Sequence, residues 1–203
     1  MRFENTSVYN IYNAILGARN PMNSWNKSDS VFNGFNGKIE NTVIGKNDLE
    51  LMQKLIKAGS EHRKFLRQIF VAVDITAPLY FFKELDTYKV GTVSNSTSTM
   101  HKLASTPITM DCFENGEMIY SFTIAELEMN RLKYLETKDK NEWKRLIVNL
   151  PESWLQKRTI TMNYENILNM YRQRKNHKLT EWSKSFCDWV KTLPYAEELI
   201  CLE

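Results

Sequence analysis

The sequence predicts an α+β domain with few strands, and α/β is the alternative class. Residues 68–76 alternate with a period of two, which is typical of a strand with one buried face. Apolar spacing typical of helices precedes this strand and dominates the second half of the chain. The chain has 203 residues and an apolar content of 42%, which fits a single domain spanning residues 1–203.

The first part of the chain is predicted to contain a long loop and then a helix. Residues 20–46 are rich in Asn, Ser and Gly, a composition that favours a loop. Asn47 and Glu50 have the spacing of a helix start, and apolar residues then fall on one face. Gly59 can end this helix in a left-handed conformation.

The predicted strand at 68–76 is followed directly by a helix. Pro78 suits the first turn of a helix that runs to about Glu84 or Leu85. One face of the strand carries its most apolar side chains, which are Ile69, Val71, Val73 and Ile75.

The second half is predicted to be mainly helical. Residues 107–122 fit either a second strand pair or an irregular stretch, whereas 122–138 and 141–148 have helical patterns. Residues 163–176 form a predicted basic helix, and Thr180 is a predicted cap of the next one. Four apolar residues of that last helix share a face and predict core packing: Trp182, Phe186, Trp189 and Val190.

Composition argues against several functional classes. No apolar run reaches the roughly 18 residues of a membrane span, and no secretory segment opens the chain, so a cytoplasmic location is expected. The three cysteines and three histidines are dispersed and lack metal-ligand spacing, so no metal site is expected. No glycine-rich dinucleotide loop or P-loop is present.

Residues 78–101 carry the clearest chemical signal. An apolar and aromatic run passes into a tract rich in hydroxyl and amide groups, and cations occur at Lys83, Lys89 and Lys102. Many short hydrogen-bonding groups with few acids suit a phosphorylated ligand. The alternative is a Ser/Thr-rich surface loop.

Several residues of this tract and of the second half of the chain form a pattern that is defined by residue type and order along the sequence. Its members are Ala77-Pro78, Lys83-Glu84, Thr87-Tyr88-Lys89, Gly91-Thr92, Asn95, Ser98, Leu150-Pro151, Asn163, Asn169 and Arg174.

This series resembles the flavin-dependent thymidylate synthases over most of the chain. That family has an Ala-Pro that closes a strand, an Arg-Gln, and an Arg-His-Arg-x-x-Ser that opens an Asn-Glu-x-Ser-x-Arg-Tyr tail. Here Lys83-Glu84 fall on the Arg-Gln and Thr87-Tyr88-Lys89 on the Arg-His-Arg. A Leu-Pro, a later Asn and a helix with a nucleotide-contacting Arg complete the family pattern. Leu150-Pro151, Asn163 and Arg174 match these without a gap.

The resemblance implies a fold, an assembly and ligands. The fold is a central, mostly antiparallel sheet flanked by helices, and the assembly is a homotetramer with shared sites. The implied ligands are a pyrimidine deoxynucleotide such as dUMP and the cofactor FAD, and the implied reaction transfers a one-carbon unit to C5. Arg174 is the implied catalytic residue. The implied nucleotide-binding residues are Glu84, Asn95, Ser98 and Arg174. The implied flavin-binding residues are Thr87, Tyr88, Lys89, Thr92, Asn163 and Asn169.

Departures from the family pattern leave a second function open. Thr87-Tyr88-Lys89 lack both arginines and the histidine, and Met100 stands where a phosphate-binding Arg is expected. Lysine keeps a positive charge without the planar fork of arginine. The alternative is therefore a non-catalytic nucleotide-binding protein on the same scaffold. The lost arginines would also fit a protein of a mobile element such as a phage.

Nucleic-acid binding is a third and less favoured interpretation. The cations at Lys157-Arg158 and in the 172–175 segment have aromatic neighbours that could stack on bases. Those neighbours are Trp154, Tyr164 and Tyr171. Acidic residues are interspersed, and the net charge is only +3, which favours a solvated surface instead.

Overall fold

A six-stranded sheet flanked by helices organises the chain, which a computed structural model describes over residues 1–202. The strands are β1 (Arg2–Tyr9), β2 (Val31–Asn36), β3 (Ile39–Val43), β4 (Phe70–Pro78), β5 (Val93–Ser96) and β6 (Leu155–Asn163). Their order in the sheet is β2-β3-β1-β4-β6-β5. β2 and β3 pair antiparallel, whereas β1 and β3 pair in parallel. The predicted α+β class is confirmed.

The helices match most of the predicted positions. They are α1 (Ile11–Ala18), α2 (Lys46–Lys57), α3 (Leu79–Leu85), α4 (Thr99–Lys102), α5 (Ser121–Thr137), α6 (Lys140–Val148), α7 (Tyr164–Arg174), α8 (Cys187–Lys191) and α9 (Ala196–Leu199). A π-helical segment, Glu181–Phe186, leads into α8. Helices α2, α3, α5, α6 and α7 lie where the sequence predicts them, and Gly59 after α2 has a φ of +106°.

The apolar face predicted for β4 is buried. Val71, Val73 and Ile75 are at most 1% exposed, whereas Phe70 on the other face is 46% exposed. The face predicted for the last helical segment is also buried, with Trp182 and Phe186 fully inaccessible. Period-two and helical spacing identify these core residues because both follow directly from local backbone geometry.

The prediction of a long loop over 20–46 is wrong. This stretch contains the β2–β3 hairpin, with Gly37 in its turn at a φ of +66°. The register shifts between Phe32 and Phe35, where Gly34 also has a positive φ. The two Asn-Gly pairs therefore provide a bulge and a tight turn within a hairpin. For 107–122 the irregular alternative holds, since three-residue 3₁₀ turns and one isolated bridge from Phe113 to Trp154 occur there.

The N-termini of α1 and α2 are each capped by a carboxylate from a residue distant in sequence. Glu40 of β3 accepts hydrogen bonds from the backbone N–H groups of Ile11 and Tyr12 at 3.0 and 2.7 Å. Asp29 accepts from the N–H groups at the start of α2. A Cβ at Gly45 would lie 2.2 Å from the carboxyl carbon of Asp29, so glycine is required there. Negative groups at helix N-termini satisfy unpaired donors and complement the helix dipole.

The chain packs as two compact units, each assembled from separate segments. The first unit comprises Met1–Arg2, Ile75–Thr87 and Asn95–Arg158. The second unit comprises Phe3–Asp74, Tyr88–Ser94 and the chain from Thr159 onwards. The core of the first unit is formed by Leu103, Ile108, Phe113, Leu127 and Leu146. Buried residues of β4, α1, α2 and α7 form the core of the second unit, among them Val73, Ile15, Met52 and Leu168.

Candidate functional site

A short turn of the second unit, residues 88–92, is fixed against the start of α7. The Asn166 amide donates to the carbonyl of Val90 at 2.7 Å, and the Thr92 hydroxyl donates to the carbonyl of Tyr88 at 2.5 Å. Gly91 has a φ of +78°, and a Cβ there would lie 2.9 Å from Asn163 Nδ2. Glycine thus permits both the left-handed backbone and the close approach to the helix.

Asn163 and Asn166 close the N-terminus of α7 reciprocally. The Asn163 side chain accepts from the backbone N–H of Asn166 at 3.0 Å, and the Asn166 side chain accepts from that of Asn163 at 3.1 Å. This capping box fixes the helix start with two amides instead of the more usual hydroxyl and carboxylate. The carbonyl oxygens of both amides are therefore used in the fold, whereas Asn163 Nδ2 points towards Gly91.

The C-terminal end of α7 carries a cluster of one guanidinium and two aromatic rings. Arg174 Nε donates to the hydroxyl of Tyr88 at 3.0 Å, and that hydroxyl donates to Gln173 Oε1 at 2.8 Å. The guanidinium carbon lies 5.6 Å from the Tyr88 ring centre and 5.3 Å from that of Trp182. Such distances are within the range of cation–π attraction. Arg174 is thus oriented both by a hydrogen bond and by aromatic contacts.

The other predicted residues of the second unit lie in different surroundings. Asn169 accepts a hydrogen bond from the Arg63 guanidinium at 3.1 Å. Lys89 is exposed and makes no hydrogen bond or ion pair with any residue from 1 to 202. Thr92 and Arg174 therefore both form hydrogen bonds with Tyr88. Asn163 lies against the same turn at Gly91.

Four predicted residues belong to the first unit. The Thr87 hydroxyl donates to the backbone carbonyl of Glu84 at 2.7 Å at the end of α3. Ser98 caps α4 by accepting from the N–H of His101 at 3.3 Å, and Asn95 is exposed on β5. These contacts are local, and the roles of the four residues in nucleotide or flavin binding stay predictions.

Sequence reasoning missed an ionic cluster beside α7. Glu165 is 10% exposed and accepts from Arg63 Nε at 3.0 Å and from Arg67 Nε. Burial alone would raise the pKa of Glu165, but the hydrogen bonds and charges of Arg67 and Arg63 outweigh it and lower that pKa. No sequence signal identifies this cluster, because Arg63 and Arg67 lie at a short 3₁₀ helix, Lys64–Gln68, in which residues four apart do not share a face.

Two of the three aromatic residues that could stack on bases, Tyr164 and Trp154, contact other residues of the protein. Tyr164 is fully buried, and its hydroxyl donates to the carbonyl of Pro194 at 2.7 Å. Trp154 packs edge-to-face on Phe113 with ring centres 5.5 Å apart. Arg158 pairs with Asp86 at 2.8 Å and lies over the Phe82 ring at 4.0 Å. These three side chains therefore stabilise the fold.

Neither a metal-binding group nor a membrane span occurs within residues 1–202. In this range no three His, Cys, Asp or Glu side chains are grouped as a metal site would require. Within the same range, each helix is too short or too polar to cross a bilayer.

Comparison with known proteins gives a match at the level of structure. No protein-family model matches the sequence, and no curated protein sequence matches it. The crystal structure of the flavin-dependent thymidylate synthase ThyX from Helicobacter pylori, complexed with FAD and dUMP, is similar over 100% of both chains. The TM-score is 0.75 and the sequence identity is 17%. A second H. pylori ThyX structure with FAD and dUMP gives a TM-score of 0.73 and 16% identity over 96% of each chain.

Proposed function

We propose that this chain, which has the fold of the flavin-dependent thymidylate synthases, binds a pyrimidine deoxynucleotide of the dUMP type at Arg174. The observation that carries the proposal is the orientation of Arg174 by the Tyr88 hydroxyl and by the Tyr88 and Trp182 rings. The sequence resemblance assigns nucleotide contact to this same arginine. A planar guanidinium suits phosphate oxygens or a pyrimidine carbonyl, to both of which it can donate bidentate hydrogen bonds.

The chain's own donors fit an acceptor-rich cofactor such as FAD. The carbonyl oxygens of Asn163 and Asn169 accept hydrogen bonds from within the protein, which orients both amides. The Nδ2 groups of these amides and the exposed Lys89 ammonium would hold the cofactor by donating hydrogen bonds. The Thr92 hydroxyl, whose proton is donated to the Tyr88 carbonyl, would accept one. Tyr88 would contact it through its ring, and Thr87 through its hydroxyl. When bound, FAD would supply the redox chemistry.

The further step in this proposal is transfer of a one-carbon unit to C5 of the pyrimidine. The task of Arg174 would be to stabilise negative charge that develops on the ring, as oriented donors do in other active sites. Glu84, Asn95 and Ser98 complete the proposed nucleotide-binding set. The protein would act in the cytoplasm.

A non-catalytic nucleotide-binding protein is the second candidate function. The Tyr88 hydroxyl, at the position where the family has a histidine, uses both its donor and an acceptor site on Gln173 and Arg174. The Tyr88 phenol is uncharged and cannot replace the missing arginines. The loss of their charge-assisted hydrogen bonds would lower the affinity for flavin.

The resemblance also supports a homotetramer as the proposed assembly. Helix α5 exposes apolar side chains at heptad-like spacing, and Phe122, Met129 and Leu132 are each more than half exposed. Covering them with further copies of the chain would remove this apolar surface from water. Light scattering on a sizing column should give four chain masses, and a monomer would contradict this part of the proposal.

Two measurements test the function. The absorbance spectrum of the purified protein, alone and with added FAD, reports flavin binding directly. Thermal unfolding with dUMP reports nucleotide binding, since a ligand of the folded state raises the transition temperature. A flavin spectrum with dUMP stabilisation supports the enzyme, and stabilisation without flavin supports the binding protein. Failure of dUMP to stabilise the protein contradicts both.

A further inference from the structure

Four aromatic side chains of the second unit line a cleft of about 360 Å³. They are Tyr9, Tyr12, Phe32 and Phe35, and we call them the aromatic wall. Ring centres lie 6.0 Å apart in each of the successive pairs Tyr9–Phe35, Phe35–Phe32 and Phe32–Tyr12. The rings of Phe32 and Phe35 meet edge to face at 81°. The aromatic wall is therefore angled around the cleft instead of flat.

The β2–β3 hairpin places two of these rings on the same side. In a regular strand, residues three apart point to opposite faces. The register of β2 against β3 shifts between Phe32 and Phe35, and both side chains consequently line the cleft. Phe32 is 46% exposed and Phe35 is 54% exposed, so much of this ring surface faces solvent.

One carboxylate, that of Glu40, lines the same cleft and is only 5% exposed. Its Oε2 atom accepts hydrogen bonds from the backbone N–H groups of Asn10 and Ile11. Its Oε1 atom accepts from the backbone N–H of Tyr12 and from the hydroxyl of Thr42. All four donors are neutral, and no Lys, Arg or His among residues 1–202 lines the cleft. The cleft thus keeps the full negative charge of the carboxylate.

This combination of groups favours a cation that has no N–H donors. Aromatic ring faces attract cations, and the charge of Glu40 adds to that attraction. The four hydrogen bonds to Glu40 already use the acceptor sites of both its oxygens. A primary ammonium would lose hydrogen bonds to water without finding new ones at the carboxylate, whereas a quaternary ammonium has no donors to satisfy.

We propose that the cleft between the aromatic wall and Glu40 binds a small molecule that carries a quaternary ammonium group. The volume of the cleft is typical of a small-molecule site. Binding would also remove exposed ring surface from water. The site goes beyond the proposed function, because none of its residues belongs to the proposed nucleotide-binding or flavin-binding sets.

Titration of the full chain with choline, followed by NMR, tests the proposal. The matched probe is the neutral carbon analogue of choline, in which a tert-butyl group replaces the trimethylammonium group and keeps its shape. We expect saturable binding of choline at one site, and about ten-fold weaker binding of the neutral analogue. Equal affinity for the two probes, or no saturable binding of choline, would overturn the proposal.

Phe35→Leu should weaken choline binding about five-fold, because leucine keeps the site apolar but removes a ring face. Phe70→Leu is the matched control, since Phe70 is 46% exposed on β4 and does not line the cleft. An equal loss of affinity in both variants would overturn the proposal. Glu40→Gln should weaken binding by at least five-fold. If Glu40→Gln does not fold, because Glu40 caps α1, then Phe35→Leu and Phe32→Leu decide.

A contact between copies of the chain is the competing explanation for the exposed rings. Light scattering on a sizing column distinguishes the two explanations. A smaller assembly for Phe35→Leu than for the wild type, together with no binding of choline to the wild type, would overturn the proposal.

Arg174→Ala separates this proposal from the proposed function. This variant should lose affinity for dUMP and bind choline as the wild type does. Lost choline affinity in Arg174→Ala, with Phe35→Leu unaffected, would show that the aromatic wall is not the site and would overturn the proposal.

Discussion

Arg174 Nε donates a 3.0 Å hydrogen bond to the hydroxyl of Tyr88, and the two side chains also meet as a cation and a ring. The sequence resemblance assigns Tyr88 to the flavin and Arg174 to the nucleotide. Their contact means that a change at one residue alters the orientation of the other. The ring of Tyr88 and its hydroxyl can be tested separately.

Tyr88→Phe keeps the ring and removes both hydrogen bonds of the hydroxyl. Because Tyr88 is only partly buried, we expect the free energy of unfolding to fall by about 1 kcal/mol. Affinity for dUMP should fall with it, since Arg174 loses its orienting partner. Urea denaturation and calorimetry measure the two effects. Unchanged dUMP affinity would show that the hydroxyl does not position Arg174 for binding.

Restoring the two arginines of the family pattern, as Thr87→Arg together with Lys89→Arg and with Tyr88 kept, should increase flavin affinity. Two added guanidinium groups supply charge-assisted bonds worth about 1.5–3 kcal/mol each, so a gain of at least ten-fold is expected. Thr87 and Lys89 are both exposed, so the fold should tolerate the change. Flavin fluorescence quenching measures the affinity. The control is an Arg substitution at exposed Thr180, and an equal gain there would argue against a flavin site at 87–89.

Glu165→Gln should destabilise the protein in a pH-dependent way. Arg63 would keep its buried charge without a carboxylate partner, and about 3 kcal/mol of stability should be lost at neutral pH. The pKa of Glu165 is lowered in the folded state, so its contribution is fully present at neutral pH. This contribution is lost as the pH falls from 4.5, the ordinary pKa of a glutamate, through the lowered pKa that Glu165 has in the folded state. Denaturation of both proteins from pH 7 to pH 3 should therefore show the difference shrinking, and a constant difference would contradict this explanation.

Asp48→Ala should be among the most destabilising substitutions in the second unit. The buried Asp48 carboxylate pairs with Arg19 at 2.5 Å and accepts hydrogen bonds from the hydroxyls of Ser28 and Ser30. It also accepts from the backbone N–H groups of Asp29 and Ser30. Its removal leaves Arg19 buried and uncompensated, for which about 3–5 kcal/mol is expected. Urea denaturation measures the loss. Glu50→Ala is the control, because its pair with Lys46 is exposed and is worth about 0.5 kcal/mol or less. Similar losses of stability in Asp48→Ala and Glu50→Ala would contradict the stabilising role of the buried Arg19–Asp48 pair.

The sequence predicts the parts of the fold that depend on local periodicity. Strand β4 and helix α3 follow from the alternation at 68–76 and from Pro78, and both are found. The hairpin at Gly37 escapes prediction because a composition rich in Asn and Gly is shared by loops and hairpins. The placement of Phe32 and Phe35 around the two Asn-Gly pairs is the stronger signal.

Contacts between residues distant in sequence could not be predicted from local patterns. Glu40 caps α1 from β3, and Glu165 of α7 joins Arg63 before β4. In each case the partner is decided by the tertiary fold, since any of many acids could satisfy the same donors. For the candidate site, the resemblance identified Tyr88 and Arg174 as separate positions, but not that the two side chains are in contact.

The titration of dUMP into the wild type and Arg174→Ala tests the central claim most directly. Lys184→Ala is the matched control, since Lys184 is an exposed cation on the next helical segment. We predict saturable binding to the wild type and to Lys184→Ala, with affinity reduced about ten-fold or more in Arg174→Ala. Equal affinity of Arg174→Ala and the wild type, or no binding of dUMP to either, would contradict the proposed nucleotide site.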